Sequence, residues 1–139
     1  MDLSEDYRAI RWMQENVSGS PVIVEANSRA LYRWYSRFTI YTGLPGVVGW
    51  EWHQQQQRAL NPAEWVTRRV LEVDQFYQGT DGGAARDFLE RYHVKYIIVG
   101  LLEQATYPGE GLAKFPAFNG QLWQEVYRDG NTTIYEVIE

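Results

Sequence analysis

The chain has 139 residues, 45% of them hydrophobic and 22% charged, with a formal net charge of −5 and no cysteine. That length and mix describe one globular domain able to bury a core, while a pI near 5.1 with no basic cluster argues against a nucleic-acid partner. The lack of cysteine removes a disulfide framework and a thiolate zinc site, and the longest apolar run, Tyr96 to Leu102, falls well short of the roughly 18 residues of a membrane span.

The amino-terminal stretch, Met1 to Glu15, is too charged for a signal peptide. Asp2, with Glu5 three residues on, predicts the start of a helix whose apolar residues Tyr7, Ile10, Met13 and Val17 recur at helical spacing, beside Trp12. The cluster from Ser18 to Pro21 ends it. Val22 to Val24 then reads as a buried strand running on to Glu25 and Ala26. An acidic residue at the carboxyl end of such a strand stands where open α/β sheets place their ligand contacts, which makes Glu25 a candidate; an ion pair with Arg29 or Arg37 accounts for it equally well.

After a polar and aromatic connection, Ser36 is positioned to cap a short helix ended by Gly43 and Pro45, although Phe38, Thr39 and Ile40 also permit a strand. The most informative stretch follows, from Gly43 to Arg58. Val47 to Trp50 reads as a second strand, and it opens into Trp50, Trp52, His53, Gln56 and Arg58. Flat aromatic faces beside fork-shaped donors suit polyhydroxylated or anionic ligands. The competing reading is a solvated turn anchored to the core by a tryptophan.

Asn61 as cap, Pro62 at the first helical position and Glu64 at the third predict a long helix with Val66, Val70, Val73 and Tyr77 on its buried side. Gly79 to Gly83 separates it from a further helix carrying Ala85, Phe88, Leu89 and Tyr92, with His93 as the residue that ends it. Gly82 and Gly83 follow a helix and lack the frame of a Rossmann or Walker loop, so they read as linker. Tyr96 to Gly100 has the continuous apolar character of a strand covered on both faces. Leu101 to Gly120 reads as irregular, with a turn at Tyr107 to Gly109 and one short helix through Leu112 and Phe115. Trp123 to Arg128 and Thr132 to Ile138, joined by Asp129, Gly130 and Asn131, predict a hairpin. The expected fold class is α/β: a mixed sheet, parallel in its first part with a C-terminal antiparallel hairpin, and helices on both faces. Ile10, Ile23, Val48, Val70, Leu89 and Ile98 are the expected core.

The chemistry available is sparse. There is no nucleophile elbow, only His53 and His93 offer imidazole, and neither has a partner at metal-binding spacing, so no catalytic residue and no metal are assigned. No cofactor motif is present.

Taken in order, Asp6, Tyr7, Ala9, Ile10, Trp12, Pro21 to Ile23, Glu25, Ala26, Ser36, Arg37, Tyr41 to Pro45, Gly49, Trp50, His53, Gln56 and Arg58 resemble the region near the carboxyl end of the YYY-domain membrane proteins. The resemblance continues through Asp74, Tyr77, Tyr92, Val94 to Gly100, Glu103, Tyr107, Ile134 and Tyr135, and so covers nearly the whole chain. Those large polytopic proteins are similar to integral-membrane glycosyltransferases that use polyprenyl-phosphate sugars. The resemblance implies that residues 1–139 are one extracytoplasmic α/β domain, excised from a larger protein in which it follows the last membrane helix. It implies two partners, the membrane-embedded part of that protein and a lipid-linked sugar or other carbohydrate. The essential acids of such enzymes lie in membrane loops, so the chain itself is expected to bind rather than to catalyse. Glu25, Arg37, Trp50, His53, Gln56, Arg58, Glu103 and Tyr107 are the implied ligand contacts. Gln54 and Gln57 depart from the family pattern, which has an acidic residue after the histidine and a tryptophan before the arginine. A free-standing small-ligand-binding domain and a protein-interaction module are the alternatives from other classes, the first requiring a pocket around Glu25, Trp50 and Gly100 and the second an exposed aromatic patch.

Overall fold

The structure is a computed structural model and describes residues 4–26, 37–47 and 62–139, apart from the side chains of residues 40 and 62–67. The elements run α1 (Ser4–Asn16), β1 (Val22–Val24), α2 (Arg37–Thr42), α3 (Pro62–Gln78), α4 (Gly82–Arg91), β2 (Val94–Val99), α5 (Leu101–Thr106), a 3-10 turn (Gly111–Ala113), α6 (Lys114–Ala117), β3 (Trp123–Asp129) and β4 (Thr132–Val137). The sheet order is β1-β2-β4-β3. β1 and β2 are parallel, with Ile23 opposite Tyr96 and Val24 opposite Ile97. β4 runs antiparallel to both β2 and β3, and the hairpin has an irregularity at Val126. The predicted mixed α/β architecture is the one observed.

Side-chain alternation along the strands divides the core into two layers. Ile23, Ile98 and Ile134 face one way, onto Ala9, Ile10 and Met13 of α1 and Phe38 of α2. Val24, Ile97, Val99 and Tyr135 face the other way, onto Val73, Phe76 and Tyr77 of α3, Ala85, Phe88 and Leu89 of α4, and Phe115 of α6. Helices therefore cover both faces. Of the expected core, Ile10, Ile23, Leu89 and Ile98 are buried, Val70 is partly buried against the second layer, and Val48 lies outside the described residues.

Several element boundaries follow from local chemistry. α4 starts where the Asp81 carboxylate accepts from Gly83 N at 2.9 Å, and it stops at His93, whose φ of 55° is left-handed. The short helical segment expected through Leu112 and Phe115 is present, and the buried Lys114 ammonium donates to the carbonyls of Tyr77 (3.0 Å) and Gly111 (3.1 Å), which closes the carboxyl end of α3. Four expectations need correction. Gly82 and Gly83, read as linker, are the first two residues of α4. Leu101–Thr106 is helical rather than irregular, because Glu103 caps its start from within. β1 ends at Val24, one residue short of Glu25, and β2 begins at Val94 and ends at Val99. Of the predicted strand from Val47 to Trp50, Val47 lies in a turn after Gly46 makes a parallel bridge with Ile23; the remainder, like the Asp2 and Asn61 caps, lies outside the described residues.

Candidate functional site

β1 and β2 are parallel neighbours, so their carboxyl ends form the crevice where open α/β sheets hold ligands. Here that crevice is filled from within. Glu25 leaves β1, Gly100 leaves β2, Glu103 is the third residue of α5, Arg37 opens α2, and Asp6 comes from the first turns of α1. The Arg37 guanidinium donates from Nε to Asp6 Oδ2 (2.6 Å), from Nη1 to Glu25 Oε1 (3.1 Å) and from Nη2 to Glu103 Oε1 (3.0 Å). All four side chains are almost completely shielded, with Arg37 at 3% exposure and Glu103 at 0%.

The carboxylates are themselves fixed by the backbone. Glu25 accepts from Phe38 N (3.2 Å) and Thr39 N (2.9 Å), two amides in the first turn of α2, and from the Thr39 hydroxyl (3.1 Å). Glu103 accepts from Ala26 N and Gly100 N, both at 2.8 Å, and so ties together the two strand exits. Asp6 takes a 2.6 Å hydrogen bond from the Thr132 hydroxyl at the start of β4. Gly100 is required for this approach: a Cβ there would stand 2.7 Å from Asp6 Oδ1 and 3.2 Å from Thr132 Oγ1.

Charge and burial act against each other in this cluster. Burial pushes the Glu25 carboxyl up to about 7, helped by the nearby Glu103 and opposed by Arg37 and the α2 amides. For Arg37, burial disfavours the cation, but Glu103, Glu25 and Asp6 together outweigh it and raise its pKa. Beneath the cluster the Tyr77 hydroxyl reaches the carbonyls of Ile98 (2.7 Å) and Val24 (3.0 Å), bridging the two parallel strands, and burial lifts its pKa well above the ordinary phenol value. Tyr107 stacks on Tyr77 with ring centroids 4.9 Å apart, and its hydroxyl donates to Asp74 Oδ1 at 2.7 Å.

The structure thus brings Glu25, Arg37 and Glu103 into one network, while Tyr107 stacks on Tyr77, whose hydroxyl binds the carbonyls of the two strands that lead into it. Of the pairings open to Glu25, the one with Arg37 forms. Trp50, His53, Gln56 and Arg58 lie outside the described residues, as does Arg29. His93 serves as the end of α4, and no group of three or more metal-ligating side chains occurs among the described residues.

No protein-family model and no curated protein matches this sequence. The fold is similar to a known one. It resembles the crystal structure of the C-terminal globular domain of oligosaccharyltransferase from Archaeoglobus fulgidus, with a TM-score of 0.63 at 14% identity. The match covers 99% of this chain and 100% of that one. At so low an identity the likeness is one of fold.

Sequence reasoning placed neither Asp6 nor Thr132 in the cluster. For Asp6 the signal was available: it lies on the same helical side as Ala9, Ile10 and Met13, and a carboxylate on an apolar stripe is buried only with a partner. Thr132 carried no such mark, because a strand threonine is unremarkable until the packing is known.

Proposed function

We propose that this chain is an extracytoplasmic domain of a membrane-embedded glycosyltransferase, and that it assists binding of the acceptor or the lipid-linked sugar without supplying the catalytic acid. The observation that carries this reading is the fold likeness to the globular domain of an oligosaccharyltransferase, which runs the full length of both chains. The resemblance of the residue pattern to the YYY-domain membrane proteins supports it from the sequence side. The internal network fits a binding role, since Asp6, Glu25 and Glu103 are committed to Arg37 and, beyond it, Asp6 to the Thr132 hydroxyl and the two glutamates to backbone amides. In this reading Trp50, His53, Gln56 and Arg58 provide the contacts to sugar or phosphate, and Glu25, Arg37, Glu103 and Tyr107 hold the elements that flank them.

Immunoblotting of fractionated source cells with antibodies against this chain tests the reading. The expected signal is a membrane-bound polypeptide much larger than 16.2 kDa. A soluble species of that mass, with nothing larger in the membrane fraction, would overturn it.

A further inference from the structure

Among the described residues, two of the four exposed large hydrophobic side chains touch each other: Tyr7 on α1, 50% exposed, and Tyr41 on α2, 53% exposed. Their rings meet edge to face, centroids 5.7 Å apart at 75°. Tyr7, Arg11 and Gln14 follow one another at i, i+4 and i+7 and so share one side of α1. The Gln14 amide donates to the Tyr41 carbonyl at 2.7 Å, which fixes the end of α2 beside this side of α1. Arg11 is exposed and makes no ion pair among the described residues, whereas the neighbouring Arg8 is engaged by Asp129 and the Glu5 carboxylate by Asn131 N.

We infer that Tyr7, Arg11, Gln14 and Tyr41 form a contact site for a neutral carbohydrate, an inference that rests on the glycosyltransferase-domain reading above. The C–H face of a pyranose matches a half-exposed phenol ring, and its hydroxyls match the exposed Arg11 guanidinium and the remaining hydrogen-bonding capacity of a fixed amide and the two phenols. The partner is uncharged because the chain carries a net −5, which disfavours polyanions and anionic surfaces but not a polyol. The platform is preorganised, since the ring contact and the Gln14 hydrogen bond already hold both tyrosines, and little ordering remains to oppose binding.

Nitrogen-15 NMR titration of the 139-residue chain with neutral methyl glycosides of mannose, glucose and N-acetylglucosamine tests this. Saturable shifts are expected at Tyr7, Arg11, Gln14 and Tyr41 for at least one glycoside. Tyr7→Ala and Tyr41→Ala should each weaken that affinity roughly two- to tenfold, the range of one aromatic contact. Arg11→Ala, on an exposed position that leaves the fold intact, should weaken it as well with an unchanged melting temperature. No saturable shift with any glycoside, or an affinity left unchanged from the parent chain by both Tyr7→Ala and Arg11→Ala, overturns the site. So does tyrosine-dependent sedimentation with phosphatidylcholine–phosphatidylglycerol vesicles in the absence of sugar binding, which would make the patch a bilayer contact. If the glycosides fail while immunoblotting shows a large membrane protein, the site falls and the domain assignment stands; the reverse pattern removes the assignment and keeps the site.

Discussion

Arg37 stands among three buried carboxylates, those of Asp6, Glu25 and Glu103, and removing it leaves them without their shared cation. Arg37→Met should therefore cost about 3 to 5 kcal/mol in urea unfolding, the cost of breaking a buried pair from one side. Arg37→Lys should recover little of it, because an ammonium has no planar fork with which to serve three acceptors. Glu25 contributes a pH dependence of definite sign. Its folded pKa, about 7, is raised above the ordinary value of 4.5, so the folded protein holds a proton that the unfolded chain releases. The associated stability is present below the unfolded pKa and is lost as pH rises through about 7. Unfolding free energy should fall between pH 5 and pH 8, by at most about 1.4 kcal/mol per pH unit, and the melting temperature should fall with it. Glu25→Gln should be less stable throughout but should flatten that part of the profile; a slope unchanged in the variant would show that another group titrates. The sequence singled out Glu25 and offered Arg37 as a partner, because a carboxylate at a strand end and a nearby arginine are local facts. The convergence of α1, α5 and β4 on the same point depends on packing that no local pattern records.

At the scale of the elements, periodicity was the reliable guide. The alternation in β2 sends Ile98 to one core layer and Ile97 and Val99 to the other, and the stripes of α3 and α4 bury Val73, Tyr77, Ala85, Phe88 and Leu89 as their spacing requires. Ile98 is fully buried on a central strand, so Ile98→Ala should cost about 2 to 5 kcal/mol by urea unfolding, with the upper part of that range marking a site that does not collapse around the missing atoms. α5 was not readable in advance for a physical reason. At six residues it is too short for propensity to hold it, and its start depends on Glu103, whose carboxylate answers Gly100 N, Ala26 N and Arg37 at once. A helix maintained by a side chain with partners in other elements leaves no periodic trace of its own.

At the scale of the molecule, the proposed function makes the chain a binding part of a larger enzyme. Incubated alone with a lipid-linked sugar and an acceptor, it should show no transfer and no donor hydrolysis above background by thin-layer chromatography; turnover abolished by His53→Ala would place the chemistry within this domain instead. The network also has a consequence for biosynthesis. Asp6 and its partner Thr132 are separated by 126 positions, so the last hydrogen bond of the cluster waits for the hairpin that ends the described fold. At ribosomal speeds of roughly 5 to 20 residues per second, about 6 to 25 s pass between the emergence of the two residues. Glu103, the third carboxylate, is itself made 97 positions after Asp6, so for most of that interval Asp6, Glu25 and Arg37 are present without it and the cluster is incomplete. The cluster is completed only after β4 arrives, so a chain cut short before Thr132 leaves Asp6 without its hydroxyl partner while Glu25 and Glu103 keep theirs.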